Sequence, residues 1–260
     1  MNTRDIVIPF RYCDDNADRY LRWTLRSFEQ SLSNVGRVVI VGDIPYWLDT
    51  RSPHVSVVTY RHYFRHKFQN LCAALMTAIR DADIHGEFLY SGDDIFHLAP
   101  TDAAKVPYFR RRPAIRTAAE YWSKYDPSKD GERGYVQMML NTRSALEARG
   151  YPIVEFEGHA TRPINADYAE DAARVFADGI GDMQFEPSCV FGNIALKHNP
   201  GLPQADRKDW KVRTMREFDA VMAERDLTYC FSIHPCMMQQ PDFISAMDAL
   251  FHKKSRFELW

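Results

Sequence analysis

The stretch GRVVIVGD, Gly36 to Asp43, decides the fold. Val38, Val39, Ile40 and Val41 form an unbroken β-branched run between two glycines. A strand with one wet face would alternate apolar and polar residues; a continuous run suits a strand buried on both faces, as in a parallel sheet covered by helices. The flanking sequence agrees. DIVIPF, from Asp5, is another short β-branched run, and Val55 to Thr59 a third. Between the first two, Tyr20 to Leu32 places Leu21, Leu25, Phe28 and Leu32 at helical spacing. Lys67 to Arg80 gathers Phe68, Leu71, Cys72, Leu75, Met76 and Ile79 on one face of a helix, and Glu87 to Ser91 reads as the next strand. Strands alternating with helices predict an α/β protein with a mostly parallel central sheet and right-handed crossovers.

The second half predicts a C-terminal α/β elaboration. Val136 to Gly150 reads as a helix ending at its glycine. Asp167 with Glu170 fits a capping box opening a helix to about Ala177. Cys189 to His198, CVFGNIALKH, is expected as a strand broken at Gly192, with helices over Asp209 to Arg225 and Pro241 to His252. No repeat or linker interrupts the chain, so residues 1–260 are expected as a single domain.

Apolar content of 45% and charged content of 26% suit a soluble globular protein. A net charge of −2 selects neither nucleic acid nor membrane by bulk attraction. Five cysteines, with no Cys-x-x-Cys pair, argue against a disulfide framework and for a reducing compartment. MNTRDIVIPFRYC is too polar for a signal peptide, and no apolar run approaches the ~20 residues of a membrane span. The expectation is a cytoplasmic protein (host cytoplasm, if a phage encodes it) with no membrane contact and no obligate protein partner. Charge is unevenly spread. No Asp or Glu falls between Thr50 and Arg80, where Arg51, Arg61, Arg65, Lys67 and Arg80 lie, and none between Ala103 and Ala119, which holds Lys105, Arg110, Arg111, Arg112 and Arg116. Such stretches suit a phosphate-binding surface or solvated loops, depending on whether the fold brings them together.

Chemistry enters at FLYSGDDIFHL, Phe88 to Leu98, where Asp93 and Asp94 follow a buried strand. Ligands in open α/β sheets sit beyond the carboxyl ends of the strands, which is where this pair falls. Adjacent carboxylates repel unless a cation or hydrogen-bond donors hold them. Oxygen ligands with open positions suit Mg²⁺ or Mn²⁺, which can also hold a diphosphate. Gly-Asp-Asp is equally good turn chemistry.

An apolar strand running into a short acidic motif after about ninety residues of βαβα resembles a GT-A-type glycosyltransferase. The similarity is closer to bacteriophage and bacterial glycosyltransferase-like proteins, including those encoded beside TET-type DNA-base hydroxylases, and more distant to capsule sugar-phosphate transferases. DIVIPF, LRWTLRSFEQSL, GRVVIVGDIPYWL, HKFQNL and FLYSGDDIF carry it, followed by FEGHATRPIN, FGNIALKH and LFHKKSRFE. Ser91-Gly92 precede the acids, so the outer Asp of the usual Asp-any-Asp is missing. The resemblance implies a nucleotide-sugar-binding half over 1–100, an acceptor half over 101–260 and a Mn²⁺ or Mg²⁺ cofactor. Asp94 is expected on the metal and Asp93 on the ribose or a metal-bound water.

The resemblance also implies nucleotide contact by Lys67 and Asn70; a Lys at a helix N-terminus adds a cation to backbone donors facing a diphosphate. Arg11, Arg22 and Arg26 are further phosphate candidates, since Arg binds phosphate bidentately. Glu157 and His159, in FEGHATRP, would share one side of a strand, making Glu157 the expected general base if the transfer inverts. His198 or His234 is a candidate further metal ligand; Cys230, His234 and Cys236 offer only three of the four ligands a zinc site needs. Arg110, Arg111 and Arg112 with Trp122 combine charge and rings, which suits nucleic acid. The expected activity is metal-dependent transfer of a sugar, hexosyl or N-acetylhexosaminyl, from a nucleotide-diphosphate sugar, with uridine as the expected nucleoside, to a 5-hydroxymethylpyrimidine in phage DNA. Transfer to a surface glycan, or DNA binding on a degenerate transferase scaffold, are the alternatives.

Overall fold

The structure is a computed structural model, and it describes residues 3–13, 15–177, 184–206 and 210–259. In chain order its elements are β1 (Arg4–Phe10), α1 (Ala17–Ser31), β2 (Leu32–Ser33), β3 (Val35–Gly42), β4 (Val55–Val58), α2 (Lys67–Asp81), β5 (Glu87–Tyr90), β6 (Ile95–His97), β7 (Thr101–Asp102) and β8 (Tyr108–Arg110). They continue with α3 (Ala118–Trp122), α4 (Asp130–Ala148), β9 (Arg162–Asn165), α5 (Ala169–Ala177), α6 (Pro187–His198), β10 (Gln204–Asp206), β11 (Lys211–Val212), α7 (Met215–Ala223), β12 (Cys230–Ile233) and α8 (Pro241–Leu250).

The central sheet has the order β4-β3-β1-β5-β9, parallel except for β9, which runs antiparallel to β5. Its β-branched strands are buried on both faces, as the run at Gly36 to Asp43 requires. Ile6, Ile8, Val38 and Ile40 pack under Leu21, Leu25 and Phe28 of α1. Val7, Val39, Val41 and Val58 pack on the other face under Cys72, Leu75 and Ala78 of α2. A small sheet of order β11-β12-β6 continues from the end of β5, its core formed by Trp23, Phe96, Phe231, Phe243 and Met237.

Four expectations change. CVFGNIALKH is the helix α6, not a strand: Pro187 sits in its first turn, and the Glu186 carboxylate accepts from Cys189 N at 2.6 Å as an N-cap. Gly192 is no break; a Cβ there would meet Phe156 Cδ2 at 2.5 Å, so the glycine lets that ring lie against the helix. Helix α4 begins at Asp130, six residues before Val136. Asp167 does not cap α5 through a box with Glu170; its carboxylate accepts from Gly86 N at 3.1 Å. The helix expected from Asp209 begins at Met215, opened by a Thr214–Glu217 capping box, and Asp209 itself lies outside the described residues. Among the described residues no helix is long and apolar enough to cross a membrane.

Candidate functional site

The chain builds β1, β3 and β4 outward in one direction, then returns through α2 to place β5 on the other side of β1. This reversal opens a crevice at the carboxyl ends of β1 and β5, the usual ligand position in open α/β sheets. The acidic turn lies there. Ser91 N still donates to Val7 O at 3.0 Å, after which the chain leaves the sheet. At Gly92 a Cβ would lie 2.8 Å from Asp94 Oδ1, so the glycine gives the Asp94 carboxylate room to fold back over the turn. Thr24 Oγ1 of α1 donates to the Asp93 carbonyl at 2.6 Å, and Ser91 Oγ donates to the Gly92 carbonyl at 3.2 Å. Both carboxylates remain partly exposed.

The small sheet brings a cation to them. Ile95, directly after Asp94, pairs with Ser232 of β12, and Ser232 pairs with Lys211 of β11. Burial pulls the half-buried Lys211 ammonium below its usual range, with Arg213 and Lys67 acting the same way; Asp94 and Glu157 oppose them. The same five groups therefore share one electrostatic environment. Lys211 Nζ also stands 3.5 Å from His159 Nε2. Lys67, at the start of α2, is exposed.

A further group lies beyond β1 and β3. Exposed Arg11 and half-buried Asp43 flank His62, whose imidazole is pulled down by burial first and then by Arg11, with Asp43 opposing. Asp43 Oδ2 accepts from Tyr12 N at 2.8 Å. Asn70 is next to this group and is fully engaged. Its amide donates to Phe64 O at 2.7 Å and His66 O at 3.0 Å, while its oxygen accepts from Tyr60 OH and Phe64 N, both at 3.2 Å. With both donors and both lone pairs used, Asn70 shapes the loop from Tyr60 to His66 and has nothing left for a nucleotide.

Several expected site residues lie elsewhere. Arg22 and Arg26 ion-pair with the buried Glu258 at 3.1 and 2.8 Å, and Arg22 stacks over Trp47 at 4.3 Å, so they tie α1 to the C-terminal segment. Arg111 pairs with Glu157 and Arg112 with Glu155, so these charges are neutralised within the protein. Glu157 and His159 occupy an irregular loop, not a strand, and Glu157 also accepts from Tyr135 OH at 3.2 Å. Arg110 and Arg111 line a small cavity with Glu157 and Arg162. Trp122 packs half-buried against the core beneath α3, α4 and α6. His198 bonds Asp171 at 2.9 Å and stacks on Tyr168 with ring centres 4.6 Å apart. Asp171 starts α5 just after Asp167, which is bonded to Gly86 ahead of β5, so His198 lies at the amino edge of the sheet, away from Asp94. His234 Nδ1 accepts from Cys236 N at 3.3 Å at the start of a short 3-10 turn.

Among the described residues, no group of three or more His, Cys, Asp or Glu is arranged to hold a metal. Asp93 and Asp94 thus form an oxygen pair without a third side-chain ligand. That set suits a hard ion completing its shell from phosphate oxygens and water, and it does not suit tetrahedral zinc. No motif marks Lys211, because its place depends on the pairing of β11, β12 and β6. The one local signal is a lysine starting a short strand.

No protein-family model matches the chain, and no curated protein sequence matches it. Solved structures do. The bifunctional glycosyltransferase WbbM, in its apo structure, aligns over 97% of this chain with 14% identity and a TM-score of 0.53. This chain spans only 50% of that protein's length. The galactosyltransferase LgtC, in complex with donor and acceptor sugar analogues, aligns over 97% of this chain and 98% of its own at 13% identity and a TM-score of 0.48. A glycosyltransferase involved in glycosylation of the major capsid of PBCV-1 aligns over 95% and 99% at 8% identity and a TM-score of 0.43. The likeness to WbbM shows the fold: a mixed α/β architecture with a mostly parallel sheet flanked by helices.

Proposed function

We propose that the protein is a metal-dependent glycosyltransferase that moves a sugar from a nucleotide-diphosphate sugar to a hydroxyl acceptor. The observation that carries this reading is the strand register that sets Lys211 of β11 across Ser232 of β12 from Ile95, the residue after Asp94, at the crevice where the sheet reverses. Asp94 and Asp93 would hold Mg²⁺ or Mn²⁺, which supplies Lewis-acid neutralisation of a leaving diphosphate. Lys211 and Lys67 would take diphosphate oxygens from the protein side, and Arg11, Asp43 and His62 would face the nucleoside. A partly desolvated Lys binds anions more strongly than one in bulk water, because competing solvent is removed. Glu157 is held by Arg111 and Tyr135, so it is read as orienting the acceptor hydroxyl rather than as a free base.

For the acceptor, the reading is a hydroxymethylated pyrimidine in phage DNA. What supports it is the Arg61 to Lys67 loop, where Tyr63 is 75% and Phe64 48% exposed among Arg61, Arg65 and Lys67. Charge and exposed rings together suit a phosphate-bearing strand with stackable bases. The same rings suit a glycan, and salt separates the two: binding of a charged strand weakens steeply with ionic strength, that of a neutral glycan does not.

The test is incubation with Mn²⁺, a panel of nucleotide-sugars, and hydroxymethylated or unmodified DNA, read by nucleoside mass spectrometry. Mass gain is expected only in the hydroxymethylated sample. Asp94→Asn and Lys211→Met are each expected to reduce transfer by at least about a hundredfold. Both residues sit at the rim, so circular dichroism should be unchanged. Full activity of Asp94→Asn would defeat the metal assignment, and transfer to neither DNA nor glycan would defeat the enzyme reading.

A further inference from the structure

Beneath the acidic turn, Ser91, His97 and Thr161 are each no more than 1% exposed. Thr161 Oγ1 lies 2.7 Å from Ser91 Oγ and 2.8 Å from His97 Nε2. Ser91 is two residues before Asp93 and His97 three residues after Asp94, so one hydroxyl touches the chain on both sides of the acids. Thr161 also ends the loop that carries Glu157 and His159, and its carbonyl accepts from Tyr229 OH at 3.2 Å.

Counting hydrogens gives the network a direction. A serine or threonine hydroxyl has one hydrogen to donate. Ser91 directs its hydrogen to the Gly92 carbonyl. Thr161 then donates to Ser91, and His97 must present a protonated Nε2 to Thr161. The chain His97 to Thr161 to Ser91 to Gly92 uses each hydrogen once, and successive bonds polarise one another.

We infer that Thr161 is a positioning residue for the acidic turn: its hydroxyl, held by His97 Nε2–H, fixes through Ser91 the carbonyl of Gly92 and so sets Asp93 and Asp94 against the His159–Lys211 side of the crevice. The inference rests on the proposed function, since the turn it positions is the one that would hold a divalent ion. Outer partners of ligating carboxylates have large effects on ion affinity without touching the ion.

The experiment measures Mn²⁺ binding by electron paramagnetic resonance of free Mn²⁺, with saturating uridine diphosphate, alongside melting temperature. Thr161→Val keeps the side-chain shape and is expected to weaken Mn²⁺ binding about 10- to 100-fold. Thr161→Ser is expected to return most of the affinity. Ser91→Ala cuts the network one step later and should weaken binding in the same direction, which covers the case in which Thr161→Val fails to fold. Thr142→Val is the control: that buried hydroxyl donates to Met138 O and accepts from Glu186 N, apart from the turn, so it should lower the melting temperature and leave Mn²⁺ affinity alone. Nitrogen-15 spectra of the wild type should show His97 protonated on Nε2. Wild-type affinity in Thr161→Val, or affinity that follows melting temperature across all four variants, overturns the inference while the proposed function stands. A wild type that takes up no Mn²⁺ overturns both.

Discussion

In the loop from Arg61 to Lys67, cations and rings face solvent. Arg61, Arg65 and Lys67 are exposed and have no ion-pair partner among the described residues. Between Arg110 and Arg116 the guanidiniums turn inward. Arg111 and Arg112 meet Glu157 and the fully buried Glu155, and Arg116 lies over the Tyr121 ring at 5.9 Å. A run of arginines is therefore a binding surface only where no counter-charge arrives from elsewhere in the fold. Here the carboxylates come from a segment some forty residues downstream, brought in by the antiparallel bridge between Arg112 and Glu155.

The sharpest way to break this contrast is to remove the buried counter-charge. Burial pushes the Glu155 carboxyl up, while Arg112 and Arg111 hold it down. Glu155→Gln leaves the Arg112 guanidinium partly buried without its partner, while Arg111 keeps Glu157; the loss is expected to cost about 3–5 kcal/mol of stability. Urea unfolding measures it. A loss below about 1 kcal/mol would mean these arginines are solvated after all, like an exposed pair.

A third arginine pair sharpens the comparison through pH. Arg22 and Arg26 turn inward on Glu258. Burial alone would raise the Glu258 carboxyl, but hydrogen bonds from Arg26 and from Ser255 bring it below the usual range. A depressed carboxyl stabilises the fold above its unfolded value of about 4.3, and that stability is lost as pH falls through the lower folded value. Glu258→Gln is expected to be about 2 kcal/mol less stable than wild type at pH 7, with the gap closing below about pH 4. Thermal melts across pH 3 to 7 would show it, and a gap independent of pH would assign the effect to packing instead.

These pairs explain where the sequence was legible and where it was not. The strands at Ile6 and Val38 and the helices opening at Ala17 and Lys67 were readable because burial on two faces, or on one stripe, writes itself into local periodicity. Helix α6 was not, because Pro187 through Ala195 are all buried; a segment buried on every side shows no amphipathic stripe, so Val190, Phe191 and Ile194 read as a strand. The place of Asp93 and Asp94, in a turn at the carboxyl end of β5, was legible because they follow an apolar run. The fates of Arg111, Arg22 and Asn70, and the arrival of Lys211, were not, because each depends on a partner distant in sequence or on strand register.

On the outward side, the ring is expected to matter more than any single cation. Tyr63 packs edge-on to Tyr60, with ring centres 6.1 Å apart, yet remains largely exposed. Tyr63→Ala is expected to weaken single-stranded oligonucleotide binding by about 1–3 kcal/mol, as loss of one stacked base would. Fluorescence anisotropy measures it, and nucleotide-sugar affinity should not move. If instead that affinity falls while oligonucleotide binding holds, the loop belongs to the donor.

The smallest effect is the most discriminating. Each phosphate contact released by a cation adds about one to the slope of log affinity against log salt. Arg65→Ala is expected to lower that slope by about one, roughly equally for all sequences, because a phosphate contact carries no base information. Stability should stay within about 0.5 kcal/mol, since Arg65 is exposed and unpaired among the described residues. Arg112→Ala should do the reverse: it strips Glu155 of its closest partner and destabilises the fold, and it leaves the slope unchanged because that charge is already paired with Glu155. Should both substitutions lower the slope, the inward arginines would have to open toward the ligand. Should neither do so, the exposed loop would hold no phosphate, and the acceptor would be a neutral chain stacked on Tyr63 and Phe64.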